Sequence, residues 1–464
     1  MSKEREILRS GAWYLIGNIL VKAIAFIALP IFTNIMSTEA FGIFGTYQAY
    51  ETVFSVLICL GVSGTVRAAY HDFKEDFDRY VSAITVPLMA MSGLWLVAVG
   101  VYYAVTGNGT IGAMGVALVL NCLGNALREV FASRMVIQNQ YKKNLLMSLA
   151  MSVLNIGISY YLCITVFSDQ RHFGRIWGTV LASCLVALVL LIAQLKNSRK
   201  VFWPKAWKFG YCVGIPLILH QLSLSLLGQC DKIMIEGMVG AAQAGIYNAM
   251  ITIILVPQVI MSSIDNAWAP WFYNNKERDS DPAVRKEIQT LNHKLVILFA
   301  LIMVGFQLLC REVLQIMVAP EYRSGIDVLY VLSVSVFANF LYLFSVNTEY
   351  FHKKTGKISL YTLITALLNL ALNYMGIRLF GYLGAAVATL LSRVTLLMLH
   401  ARQAKKLCGY DPVRVPYLAG ALAAVSASAY LVHLIEDMTV LRLGAAVLIA
   451  IFGVKYLYKN FHKV

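Results

Sequence analysis

The sequence predicts an all-α polytopic membrane protein: about fourteen transmembrane helices, forming two parallel six-helix lobes around a central cavity, with two further C-terminal helices. Three observations predict it. Of 464 residues, 59% are hydrophobic and 14% charged, whereas a soluble globular chain carries about 45–50% apolar and about 25% charged residues. The apolar residues gather into runs of about 20 or more, the length that crosses a hydrocarbon core about 30 Å thick. Short motifs in the first six runs return in the next six. The mean hydropathy of +0.68 excludes a soluble enzyme.

The runs fall at 11–35, 41–67, 80–105, 110–136, 144–167, 173–195, 210–236, 243–266, 292–318, 326–350, 358–379, 382–403, 415–435 and 440–458. The charged start (Lys3, Glu4, Arg5, Glu6, Arg9) precedes an apolar stretch longer than a signal-peptide core, so the first run reads as an uncleaved span. Breaks carry turn chemistry: Met36-Ser-Thr-Glu-Ala40, Thr106-Gly-Asn-Gly109, Glu321-Tyr-Arg-Ser-Gly325 and Asp411-Pro412. Pro30, Pro87, Pro216 and Pro257 lie inside runs, where each removes a backbone donor and favours a bend.

Charge then sets orientation. The net charge is +15, but 29 of the 39 Lys and Arg fall at the termini and even-numbered connections, and only six in the odd-numbered ones. By the positive-inside rule both termini are cytoplasmic, in a multi-pass protein of the plasma membrane. The basicity is an orientation signal, and nucleic acid is not expected as a partner. The eight cysteines form no CxxC or Cys/His cluster and read as small core residues, so no metal is expected. No outer connection is long, and the longest inner ones, 196–209 and 267–291, are short charged loops. No nucleotide-binding G-x-x-x-x-G-K-[ST] motif and no catalytic constellation occurs, so neither a catalytic residue nor a cofactor is expected. A secondary transporter, a channel or an assembly scaffold remains.

The repeat favours the transporter. Leu154-Asn-Ile-Gly-Ile-Ser-Tyr160 returns as Leu368-Asn-Leu-Ala-Leu-Asn-Tyr374, each after a Lys pair, Lys142-Lys143 and Lys353-Lys354. Gly42-Ile-Phe44 returns as Gly245-Ile-Tyr247, and Gly174-x3-Gly178 resembles Gly381-x2-Gly384. A repeat of six spans enters the membrane the same way twice, giving lobes related by an axis normal to the bilayer. The expected domains are an N-lobe at 1–195, a basic interfacial linker at 196–209, a C-lobe at 210–404, and two extra spans with a cytoplasmic tail at 415–464.

Several motifs carry a family likeness. They are Gly11…Leu29-Pro30…Ser37-Thr38-Glu39-x2-Gly42, Asp231-Lys232-x-Met234-Ile235 closing span seven, and Gly245-Ile-Tyr247. Trp268-x-Pro270-x-Phe272-Tyr273 follows span eight, and Gly381-Tyr-x-Gly384-Ala-Ala386 opens span twelve. Through them the sequence resembles Wzx-type polysaccharide transporters, the lipid-linked oligosaccharide flippases of the superfamily that also holds lipid II flippases and multidrug and toxin extruders. The resemblance implies alternating-access transfer of an undecaprenyl-pyrophosphate oligosaccharide from the cytoplasmic to the outer leaflet, for surface polysaccharide biosynthesis. It implies membrane lipid as a partner, with H+ or Na+ as a candidate coupling ion and glycan-assembly proteins as candidate partners. Fourteen spans look more like the lipid II branch, whose pattern would make spans thirteen and fourteen a groove for the polyprenyl tail.

Ionisable groups inside spans cost about 2.5–3.5 kcal/mol each on insertion scales and so need a reason. They are Lys22, Glu51, Arg128, Glu129, Asp231, Lys232, Glu236, Glu349 and Arg393, with His220, His400 and His433. Cations suit a pyrophosphate, Arg through its planar fork and Lys as a point charge. Lys22, Arg128, Arg393 and His220 are therefore the candidate substrate-binding residues, and Glu51, Asp231, Lys232 and Glu236 the candidates for coupling and gating. Lys232 and Glu236 are also spaced to neutralise each other one turn apart. Two alternatives stay open: a multidrug or cation-coupled exporter, expected to have twelve spans and a carboxylate-dominated cavity, and a lipid II-type precursor flippase. A scaffold is disfavoured by the repeat and the buried charges.

Overall fold

A computed structural model describes residues 20, 23–24, 26–59 and 61–461. Helices account for nearly all of them: α1 (Phe26–Ile35), α2 (Thr38–Cys59), α3 (Val62–Asp72), α4 (Phe77–Ala83), α5 (Thr85–Thr106), α6 (Gly109–Ile137), α7 (Tyr141–Thr165) and α8 (Arg171–Asn197). They continue with α9 (Pro204–Val239), α10 (Ala241–Lys276), α11 (Pro282–Met317), α12 (Ile326–Phe351), α13 (Thr355–Cys408), α14 (Val415–Leu434) and α15 (Thr439–Phe461). No strand occurs among the described residues. Among the described residues, eleven helical stretches are long and apolar enough to cross a membrane, and the 54 residues of α13 hold two of the expected crossings, because the chain turns at Gly381 (φ 59°, ψ −143°). Leu94, Val97, Leu146, Val189, Leu448 and Val454 are exposed, the outward apolar face that a multi-pass membrane protein turns to lipid.

The helix ends follow from the sequence. Asn108 starts α6 by accepting the Ile111 N–H at 3.1 Å, and Asp281 starts α11 by accepting from Ala283 at 2.8 Å with Pro282 at the first position. One boundary differs from expectation. Residues 267–276 were expected in an inner loop, but α10 runs through Pro270 to Lys276. The reason is side-chain burial: Trp268 and Phe272 stack on each other and Trp268 meets Phe344 edge-on, while the Trp268 Nε1–H donates to Asn292 at 2.9 Å. Burying two large rings offsets the backbone bond that Pro270 forfeits.

The chain divides into two compact units, at Ile233/Met234 inside α9. In the first, Phe73, Tyr80, Ile84, Val130 and Phe131 pack as one core. Arg134 pairs with Asp78 at 2.7 Å, and Gln194 Nε2 donates to the Asp78 carbonyl and to Ser82 Oγ. Trp203 and Trp207, in the segment expected as an interfacial linker, also join this core, and the Trp207 N–H donates to the Ala83 carbonyl at 2.8 Å.

The second unit is built on α12, which is buried along most of its length and packs against α10, α11, α13 and α14. Gln307 of α11 donates to Ser333 of α12 at 2.8 Å and to the Val425 carbonyl of α14, and accepts from Ser428 at 2.6 Å. Arg442 of α15 is wholly buried; its guanidinium makes a bidentate pair with Glu312 of α11, each bond 2.8 Å. At the other end, Lys276 pairs with Asp279 and the Tyr410 hydroxyl donates to Asp279 at 2.9 Å. Burial pushes the Tyr410 hydroxyl up to about 12, so it remains a neutral donor at physiological pH.

Candidate functional site

In the first unit α2 and α6 bring two of the sequence-predicted residues together. Asn121, Asn125 and Arg128 recur at helical spacing and so lie along one face of α6. The Asn125 amide donates to Glu51 Oε1 at 2.7 Å, and the charge of Arg128 acts on that carboxylate. Arg128 is half-buried and Glu129, its neighbour, is exposed. The Arg128 Nε is buried without a hydrogen-bond partner among the described residues. Asn121 continues the polar face inward, accepting from Ser183 of α8 at 2.8 Å. The result is a carboxylate held in place by an amide, with a guanidinium beside it that keeps an unused donor.

In the second unit Arg393 of α13 donates to the Asn339 side-chain carbonyl of α12 at 3.1 Å, and the Asn339 amide contacts the Met261 sulfur of α10 at 3.6 Å. The amide carbonyl thereby orients the planar guanidinium. Further along α12, Asn347 donates to Asp265 at 3.3 Å and accepts from Tyr273 at 2.7 Å.

The remaining candidates sit on α9 or outside the description. Asp231, Lys232 and Glu236 are all half-buried; the Cys230 thiol contacts Asp231 Oδ1 at 3.5 Å, and the charge of Asp231 acts on Lys232. Lys22 and the side chain of His220 lie outside the described residues.

Sequence reasoning missed two pairings. Glu349 and His400 were both noted as ionisable groups in spans, but their contact, 51 positions apart, has no local signal. Arg442 was counted as an outer-loop charge, and its pairing with Glu312 spans 130 positions. Asp327, His433 and Glu436 cluster with ligand atoms within 4.8 Å of one another. Arg311 and Arg442 both donate to the Glu436 carbonyl, so the trio reads as part of an ion-pair network joining α11, α12, α14 and α15.

The profile of a family described as "Polysaccharide biosynthesis protein" matches residues 7–276. A Haemophilus influenzae protein named "Uncharacterized membrane protein" is 21% identical over 385 residues, covering 78% of this chain and 89% of that one. The Haloferax volcanii protein named "Probable low-salt glycan biosynthesis flippase Agl15" is 20% identical over 410 residues, covering 85% of this chain and 83% of its own. Among solved structures, the lipid II flippase MurJ in an inward closed conformation superposes with TM-score 0.75 at 12% identity, covering 96% of this chain and 98% of that one. An inward-facing multidrug resistance transporter of the MATE family gives TM-score 0.61 at 14% identity, covering 84% and 94%.

Proposed function

The chain belongs to the polysaccharide biosynthesis protein family, and on that premise we propose that this flippase carries an oligosaccharide linked to undecaprenyl pyrophosphate from the cytoplasmic to the outer leaflet of the plasma membrane. It is a transporter and not an enzyme, in keeping with the glycan flippase among its relatives and the fold it shares with transporters. The observation that carries the lipid-linked reading is an apolar groove of about 430 Å³ between α11 and α14, lined by Val296, Ile297, Leu301, Val304, Ala421 and Val425. An isoprenoid tail can remain in contact with such a surface while the headgroup moves.

The headgroup needs cations. Arg128 in the first unit and Arg393 in the second are each assigned a pyrophosphate contact, with Lys22 and His220 in the same role. Glu51 then acts as a gate: it neutralises Arg128 when no anion is bound and gives it up when phosphate oxygens compete for the guanidinium. Asp231, Lys232 and Glu236 are assigned to gating on α9. Alternating exposure of these groups to the two sides moves the headgroup; H+ or Na+ supplies the coupling.

Reconstitution tests the reading. Full-length protein in proteoliposomes should move a fluorescent polyprenyl-pyrophosphoryl oligosaccharide, with Lys22→Ala abolishing movement and Arg128→Ala reducing it by about tenfold or more, the cost of losing one charge-assisted phosphate contact. Movement of a cationic dye with no movement of the lipid would instead establish the multidrug alternative. Lipid II as a competing cargo separates the peptidoglycan-precursor reading from the oligosaccharide one.

A further inference from the structure

Glu349 of α12 and His400 of α13 face each other inside the second unit. His400 Nδ1 lies 2.7 Å from Glu349 Oε1, and both side chains are wholly buried. The rings of Tyr342 and Tyr361 close edge-on against the imidazole, with centroids 4.9 and 5.4 Å away. The second polar atom of each partner, Glu349 Oε2 and His400 Nε2, is also buried and has no hydrogen-bond partner among the described residues. As a fastening between helices this is a poor solution, since well-packed apolar side chains of similar volume serve as well or better. The contact does make sense for a group whose state must change.

We propose that Glu349 and His400 form a proton-binding site, loaded and unloaded once per transport cycle. With one proton held along the Nδ1···Oε1 line the pair is neutral overall, whether written as imidazolium and carboxylate or as imidazole and carboxylic acid. Losing that proton leaves one net negative charge in a low-dielectric interior, and gaining a second leaves one net positive charge; both are costly while the pair is sealed. Once water reaches the pair, the proton leaves to water and Glu349 stays ionised beside a neutral imidazole. A proton taken from water on the other side restores the pair, and no other atom changes hands. The inference rests on the transporter reading and is independent of the cargo.

The surroundings leave the pair as the ionisable centre. On α12, Tyr342 packs on the imidazole, Tyr350 is exposed, and His352, just past the helix end, lies edge-on to Phe351 and within the field of Lys276 and Asp279. On α13, Tyr361 packs on it, Arg393 lies two turns before His400 and donates to Asn339, and Lys357 donates to Gln403 at 3.2 Å. Lys354 meets Glu349 through its backbone N–H, which donates to the Glu349 carbonyl at 3.0 Å. From α10, Asp265 and Tyr273 engage Asn347, two residues before Glu349 and so on the opposite face of α12, and Lys276 is held by Asp279. From α11, His293 packs at a tilt against Tyr417 of α14 and Lys294 reaches the Asn460 carbonyl. His433 of α14 contacts Asp327, and Glu321 and Arg323 belong to the short helix before α12, all at its far end.

Infrared difference spectra of the full chain in lipid, recorded across an acid-to-alkaline buffer step, test the site. The wild type should show an imidazole band and a buried-carboxyl band that change together, and Glu349→Gln and His400→Gln should each remove both. Bands untouched by either substitution would overturn the proposal, the pair then being a permanently sealed fastening. If neither variant accumulates in the membrane, absence of any pH-dependent buried-carboxyl band in the wild type overturns it equally. In proteoliposomes, wild-type movement of a fluorescent polyprenyl-pyrophosphoryl sugar should respond to an imposed pH gradient, and Glu349→Gln should flatten that response. A response unchanged in the variant overturns the proton assignment and leaves the cargo standing. A wild type that shows both bands yet moves no probe overturns the cargo and leaves the proton site.

Discussion

Arg442 shows what a single buried charge costs and returns. Its guanidinium is wholly buried, and two bonds of 2.8 Å to Glu312 balance its charge. Removing one partner of such a pair strands the other, an effect of about 3–5 kcal/mol. Glu312→Ala, which strands the buried guanidinium, should therefore lower the thermal midpoint of the detergent-solubilised protein sharply, and Arg442→Ala less, because Glu312 is 24% exposed, while the double replacement by apolar residues should recover part of the loss. Thermal unfolding of the purified variants checks this. The sequence marks Glu51 and Arg128 as costly and therefore purposeful, and the structure ties Glu51 to Asn125, one turn from Arg128 on α6. It could not pair Arg442 with Glu312 or Glu349 with His400, because hydropathy and spacing report on neighbours along a helix and carry nothing across 130 or 51 positions.

Among the helices, the two glycine motifs of the repeat acquire a common physical meaning. In the first unit Gly178 of α8 meets the backbone of Ser159 on α7, and in the second Gly384 meets the Gly376 carbonyl across the turn at Gly381. In both places the backbones touch so closely that a Cβ would collide, the small-residue contact that lets membrane helices approach. Gly384→Val should block folding of the second unit, seen as loss of the monodisperse peak on size-exclusion chromatography; Gly356→Ala, whose Cβ would meet open space, should leave the peak intact. The length of α10 was harder to read. Pro270 and the polar residues after it look like a loop in the chain, and only the partner surfaces on Phe344 and Asn292 keep Trp268 and Phe272 helical.

For the molecule entire, the sorting of Lys and Arg predicts a topology that can be measured. A reporter active only in the cytoplasm should work when fused after Lys459, and one active only outside should work when inserted at Asp169, between α7 and α8. The reverse pattern would invert the direction proposed for the cargo. Class, helix content and charge asymmetry were legible because the bilayer imposes one length and one polarity rule on every span. The choice of cargo was not, since neither rule says which molecule a few polar side chains would hold.

The burial of α12 also bears on how the protein is made. Its sides are covered by α10 and α11, which precede it, and by α13 and α14, which follow it. A ribosome that has just finished α12 has thus delivered to the bilayer a helix carrying Asn347 and Glu349 whose later neighbours do not yet exist. Until α13 arrives with His400, Glu349 has no imidazole to face, so the second unit must hold an unfinished, polar-bearing helix at the insertion machinery or in lipid.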